Sequence, residues 1–477
     1  MLKERIKSSA IVVLLFNMLF LSGYIWFAEN YSTVGNRIMQ YIRTDSVFSV
    51  FFPVERSFSI PKENLSKPRK FLINDGSLWM AYYNTDIGYT PIEQRTRTVT
   101  EGFLKGEIKA SRKIDYKTWQ EGLESQSIYI EYPISFSVPL LCEIMGIAPD
   151  NVLRDVSSVR DFIILPSSGD GNIYLLVKDA VDQENVYAYI MDDKYTLPAE
   201  DLAIYNDSSD GYYEPAFSTG INEFPGEVSL APLVLFSDSR PQTEVLSGKS
   251  LTGGNNRKKI IGVFSFNPTS VNGYTDKNES TIYIENYSSA RFYSDSLFEY
   301  SATSEERGIF LNDKTDAYSV LNSSIDFAEN VWKCVSDRPF NVLVTSDLSD
   351  YDSSNPYTFR FDYYLNGRPV EIRLEGKNGH KEMNCAIEMT VCDGRLISYR
   401  QYLRSYDVTE RDAVSVTFVD ALDYFVGRLS SSILPVVIED IYIGYLDSGE
   451  ENELHAGWLA KANGSIYKYQ NSAVRNR

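Results

Sequence analysis

The sequence predicts an α+β protein: a single N-terminal transmembrane helix, then a multi-domain extracellular region of antiparallel sheets with helices packed on one side. Three observations predict it. No charged residue falls between Lys7 and Glu29. Tyrosine, at 34 residues, outnumbers phenylalanine at 25 and suits half-buried strands better than a helical bundle. Towards the C-terminus, one amphipathic helix followed by antiparallel hairpins occurs twice, a pattern that lays helices along one side of a sheet.

The uncharged run Ser8–Ala28 has 21 positions, roughly 30 Å as a helix and enough to cross a bilayer core. A secretory signal has a shorter apolar region of ~7–15 residues and small residues at −3 and −1 of its cut. Here a cut after Gly23 has Leu21 at −3, and a cut after Ala28 has Trp26, so a retained anchor fits better than a cleaved signal. Lys3, Arg5 and Lys7 precede the span, which places residues 1–7 in the cytoplasm and everything after the span outside the cell membrane. Tyr24 and Trp26 lie where an outer aromatic belt belongs. Asn17, near mid-span, carries a carboxamide that seeks a partner helix; the rival reading is a tolerated side chain bonded to its own backbone. Ser22 and Gly23 add a small patch for close approach, without a GxxxG pattern.

A chain of 477 residues exceeds one core. Its net charge of −19 argues against nucleic acid, which needs a Lys/Arg surface, and against flat docking on an anionic membrane. Four cysteines are too few for a disulfide scaffold. Cys385 and Cys392 stand an odd step apart on an apparent strand, so they point to opposite faces and read as free buried thiols. Two histidines leave little room for a zinc site or a histidine-based triad.

Along the chain, Pro53, Pro61 and Pro68 mark a loosely packed lead-in before "FLINDGSLWMAYY". A helix is expected over Val99–Ala110, a half-buried strand over 127–133, and a strand pair around Gly169-Asp170-Gly171. "SGKSLTGGNNRKK" reads as a loop, and "KKIIGVFSFNP", "STIYIENY" and "RFYSDSLFEYS" as strands. Then come a helix over Ser324–Val335, hairpins turning at Asn366-Gly367 and Asp393-Gly394, a helix over Phe418–Leu429, and closing strands "VIEDIYIGYL", "GWLAKA" and "SIYKYQ". The expected domains are 29–200, 201–308 with a loop at 237–259, and 309–477.

Several motifs tempt and fail. Gly248-Lys249-Ser250 resembles the end of a phosphate loop, but Thr243 stands where its first glycine belongs. "NDSSDGYYE" resembles a calcium loop, but its twelfth position is Phe217 rather than glutamate. The pairs Glu439-Asp440, Asp192-Asp193 and Asp347 with Asp350 are what 65 acidic residues produce by chance. His380 and His455 read as exposed turn residues. No residue is assigned a catalytic, cofactor-binding or metal-ligating role.

The order of several stretches resembles the YycH family, membrane-anchored accessory proteins of the two-component system that governs cell-wall metabolism in low-GC Gram-positive bacteria. They are the span ending in "YIWF", "IDYKTWQEGLESQSIYIEYPISFS" at 114–137, "VFSFNPTSVNGYTDKNESTIYIENYSSARFYSDSLFEY" at 263–300, "FDYYLNGRPV" at 361–370, and "IEDIYIGYL" with the Gly-Trp hairpin. Trp458 follows Ala456-Gly457, where the family usually has a proline two before the tryptophan. The resemblance implies a C-terminal part similar to the companion YycI family. It also implies a non-enzymatic role: association, with a YycI-like companion, to the sensor histidine kinase of the YycFG/WalKR system. The transmembrane helix is implicated in that contact, so Asn17, Ser22 and Gly23 are the expected partner-binding residues. The other reading is a tethered extracellular binding module for a wall component or peptide. Exchanging the span separates the two, because a tether would keep working.

Overall fold

Strand residues facing alternate ways need cover on both faces when both are apolar, and the first sheet is of this kind. In this computed structural model the described residues run from 67 to 469, apart from 78, 84–87, 149–154, 168–170, 181, 183–184, 200, most of 203–241, 270, 286, 350, 366, 377–379, 415 and 432–434. They belong to the compact unit Ser59–Arg477. The expected span Ser8–Ala28, with Asn17, Ser22 and Gly23, lies outside them, as do most of the acidic stretch after residue 202 and "NDSSDGYYE". Among the described residues no helix is long and apolar enough to cross a membrane.

The first sheet is built from β1 (Lys70–Asn74), β2 (Trp79–Tyr83), β3 (Ile108–Ile114), β4 (Ser127–Ser137), β5 (Ser158–Leu165), β6 (Tyr174–Asp179) and β7 (Val186–Met191). Their order is β2-β1-β4-β5-β6-β7-β3, antiparallel throughout. Phe71, Ile73, Ile130 and Ile164 face helix α1 (Tyr89–Leu104) through Tyr89, Ile92, Val99 and Phe103. Leu72, Tyr129, Ile163 and Leu176 face the other way, onto Trp119 and Leu123 of α2 (Tyr116–Glu124). Helices therefore cover both faces, not one side as expected, and β4 is buried along its first six residues rather than half-buried. Gly122 permits this crossing, since a Cβ there would meet Leu176 at 2.5 Å.

Helix α1 ends before the expected Ala110. Gly106, at φ +71°, closes it, with its N–H donating to Phe103 O (2.9 Å) and the Glu107 N–H to Gly102 O (2.9 Å). The residues beyond form the exposed strand β3, whose polar pattern hid it. After β4 comes the short helix α3 (Val138–Ile144).

The larger part contains β8 (Val228–Leu230), β9 (Gln242–Ser250), helix α4 (Gly254–Val263), and a meander of β10 (Tyr274–Thr275), β11 (Thr281–Glu285), β12 (Ser288–Phe292) and β13 (Leu297–Ala302). The expected loop 237–259 thus holds a strand and the start of a helix, and "KKIIGVF" is helical rather than extended. Its Phe264 is enclosed by Phe298, Tyr300, Phe327 and Tyr399, with ring centroids 4.9–5.2 Å away, so tertiary burial overrides the β-branched local preference. β14 (Ile309–Phe310) leads into α5 (Ala317–Lys333), which begins earlier than Ser324 because Asp316 caps it, accepting from the Ser319 N–H at 2.8 Å.

Then follow β15 (Val342–Val344), β16 (Tyr357–Leu365), β17 (Arg368–Ile372), β18 (Ile387–Cys392), β19 (Arg395–Tyr402) and β20 (Arg404–Ala413). Helix α6 (Phe418–Leu429) spans the expected residues and opens on a Thr417–Asp420 capping box. β21 (Val436–Asp447), β22 (Glu453–His455), β23 (Gly457–Ala462) and β24 (Ser465–Lys468) close the fold. Fourteen strands join in the order β10-β11-β12-β13-β19-β18-β16-β17-β21-β23-β24, with β14, β15 and β8 alongside. The strands β13 and β19, on opposite sides of residue 308, pair directly. Only the pairings of β21 with β17 and with β8 are parallel among the described strands. The architecture is mainly antiparallel α+β. A separate three-stranded ribbon, β20-β9-β22, stands on it.

All four cysteines are free, with Cys142, Cys385 and Cys392 buried. His455 is exposed as expected, but His380 is not: its side chain is fully buried. Nε2 lies 2.6 Å from Asp295 Oδ2 and Nδ1 lies 2.8 Å from the Lys381 carbonyl oxygen, while the ring meets Tyr293 edge-on. The histidine pins its loop onto the β12–β13 turn.

Candidate functional site

Pro68, Arg69 and Lys70 lie near the start of the described residues, where the two large sheets meet. Lys70 stands opposite Glu131 on β4, and Glu131 opposite Asp161 on β5. Lys70 Nζ lies 3.0 Å from Glu131 Oε2, with both side chains almost fully enclosed. Arg69 reaches both ways. Its guanidinium lies 3.5 Å from Glu131 on β4 and 2.8 Å from Asp440 on β21, and it stacks 5.4 Å from the Tyr442 ring centre. Burial pushes the Glu131 carboxyl up, but Lys70 and Arg69 outweigh it and hold the group below its ordinary value. Removing either cation would weaken the compensation of this buried anion, which Arg160 also supports.

Behind Tyr442 sits a second cluster. Its hydroxyl donates to Glu371 Oε1 on β17 at 2.6 Å. Asp362 on β16 adjoins Glu371, one step along from the paired Tyr363 and Val370. Asp362 is 6% exposed and Glu371 8%. Burial and the neighbouring Glu371 push the Asp362 carboxyl well above the ordinary range. Burial also raises Glu371, against the pull of Tyr442, Arg69 and Lys461. A second fastening lies further along β4, where the Leu348 N–H donates to Ser135 O at 3.3 Å. Together these contacts form a polar joint between the sheets. Chemically, it sets buried and half-buried charges against one another across the two sheets.

The sequence motifs have structural roles here. Gly248, of the Gly-Lys-Ser run, lies in strand β9, where a Cβ would collide with the Arg404 guanidinium. Asp440 anchors Arg69, Glu439 accepts from the Gly464 N–H at 2.9 Å, and Asp193 pairs with Lys109. Asp347 accepts from the Ser349 N–H at 3.0 Å, while Asp350 lies outside the described residues. A crevice lined by Pro68, Arg97, Ile130 and Tyr132 has room for about one water molecule. Among the described residues no group of three or more His, Cys, Asp or Glu side chains is placed to hold a metal ion. Reading the sequence alone missed Arg69, Asp362 and Glu371. The available signal was the pair of carboxylates inside the apolar runs "YTFRFDYYL" and "PVEIRL".

No family model matches the sequence, and no curated protein does. Among solved structures, the chain superposes on YycH from Bacillus subtilis with a TM-score of 0.53 at 11% identity, covering 85% of this chain and 96% of that one. The fold is that of YycH. A share of 85% cannot be met within either large sheet's stretch of sequence, so the likeness to YycH extends across both. At 11% identity YycH and this chain have the fold in common, and the charges of the polar joint are read from this chain alone.

Proposed function

We propose that this chain is a membrane-anchored extracellular accessory regulator of the sensor histidine kinase in a cell-wall-controlling two-component system, acting by contact and without catalysis. The observation that carries this reading is the YycH fold over 85% of the chain. The uncharged run Ser8–Ala28 supplies the anchor, with residues 1–7 in the cytoplasm and the body outside. A YycI-like companion pairs with the body, and the span packs against kinase helices. Such a subunit works by binding one kinase state better than the other, and a difference of about 1.4 kcal/mol shifts their ratio tenfold.

Within the span, Asn17 is the residue most able to choose a neighbour, because its carboxamide needs a hydrogen-bond partner in lipid, with Ser22 and Gly23 allowing close approach. Replacing Asn17 with leucine is expected to lower recovery of the kinase in crosslinked pull-downs from membranes several-fold, at unchanged amounts of the regulator. Equal recovery would remove Asn17 from the contact. A pull-down containing no kinase with the native chain would remove the reading itself.

A further inference from the structure

Two buried carboxylic acids lie on neighbouring strands of the joint, and neither has a cation in ion-pair contact. Among the described residues, neither Asp362 nor Glu371 makes an ion pair. Asp362 Oδ1 accepts from the Ala386 N–H at 3.1 Å, and Glu371 Oε1 accepts from the Tyr442 hydroxyl at 2.6 Å. The cations within range are Arg69 and Lys461, which act at a distance; Arg69 is engaged by Asp440 and Glu131. The remaining titratable neighbour is the Cys385 thiol, which burial, then Asp362, pushes up. It brings no positive charge to the pair.

Asp362 and Glu371 each stand one residue beyond the Tyr363–Val370 pair on neighbouring strands, so two ionised carboxylates here would repel in a low-dielectric setting. Repulsion of this kind is relieved when one proton stays on the pair. We propose that Asp362 and Glu371 hold a proton in common and act as an acid-stabilised latch of the joint between the two sheets. The line of contact is continuous: Asp362 beside Glu371, Glu371 bonded to Tyr442, Tyr442 under Arg69, and Arg69 bound to Glu131 of the first sheet. The proton therefore sits behind the Tyr442–Arg69 contact, through which Arg69 links Asp440 of β21 to Glu131 of β4. This device stands independently of the kinase reading.

The sign follows from the direction of the shifts. Both groups titrate higher in the folded chain than in the unfolded one. Their contribution is complete below the unfolded carboxylate value and is lost as pH rises through the folded value. Each pH unit through that window costs up to about tenfold in the folding constant per proton released.

The test uses the full-length chain in detergent. Infrared spectra at neutral pH are expected to show the carbonyl band of a protonated, buried carboxylic acid that disappears on raising the pH. Asp362→Asn and Glu371→Gln, made together, should remove the band. They should also flatten the fall in urea stability between neutral and alkaline pH, relative to the native chain. Absence of the band from the native chain at neutral pH overturns the proposal, whether or not the variants fold. So does a band that survives both substitutions, or a fall in stability that the substitutions leave unchanged.

Discussion

Replacing Arg404 with methionine is expected to destabilise the body by about 3–5 kcal/mol. Arg404 is 4% exposed, and Asp447 is fully buried. Nη1 lies 2.9 Å from both carboxylate oxygens of Asp447. Asp447 also accepts from the Tyr406 hydroxyl at 2.9 Å and the Gly449 N–H at 2.8 Å. The other arm, Nη2, donates to the carbonyl oxygens of Glu451 (2.5 Å) and Gly248 (3.3 Å). This one side chain therefore ties β20, β9 and the end of β21 together. Its removal leaves a buried carboxylate with hydroxyl and backbone donors but no cation. A double replacement, Arg404→Met with Asp447→Leu, removes the orphaned charge as well and should recover part of the loss. Urea unfolding of the full-length chain in detergent measures both. A loss below about 1 kcal/mol for Arg404→Met would show the pair to be as weak as a surface one.

Gly394→Ala is the second large effect, at about 2–5 kcal/mol. The Asp393-Gly394 turn joins β18 to β19, with φ at +47° and +66°, the geometry of a tight hairpin. An alanine at positive φ costs about 1–2 kcal/mol by itself. At this site its Cβ would also collide with the backbone oxygen of Asn312, adding about 1–3 kcal/mol of overpacking. The contact is not incidental, since the N–H groups of Leu311 and Asn312 both donate to Gly394 O, at 2.9 and 3.3 Å. Gly464 is the matched control. It has φ +72° with open space around its Cβ position, so Gly464→Ala should cost only the conformational share, about 1–2 kcal/mol. Equal losses at the two glycines would show that the Asn312 contact carries nothing.

The local signals in the sequence were legible where period and turn chemistry agreed. Phe418, Ala421, Leu422, Phe425 and Leu429 fall on one helical face, and a capping residue precedes them, so α6 was readable to the residue. The hairpins around Gly367 and Asp393-Gly394 were readable for the same reason. What stayed hidden depends on distant cover. Ile260 and Ile261 look like strand residues until the rings of Phe298 and Tyr399 enclose the helix they belong to. His380 looks like a surface residue until Asp295, far off in sequence, reaches it. Asp362 lies on the polar face of β16 by alternation, and its burial comes from distant segments, with Ala386, Thr345 and Glu371 beside its carboxyl. The polar joint could not be seen for this reason: each charge is ordinary in its own segment, and only the pairing of segments buries it.

On the proposed reading, the span Ser8–Ala28 is the signalling contact and the remainder of the chain contributes no catalysis. Exchanging residues 8–28 for an unrelated apolar span of equal length tests this most directly, with kinase autophosphorylation measured in membranes with and without the chain. The account predicts that the chimera stays in the membrane at normal levels and no longer alters autophosphorylation. A chimera that alters it as fully as the native chain would contradict the account and leave the span a tether.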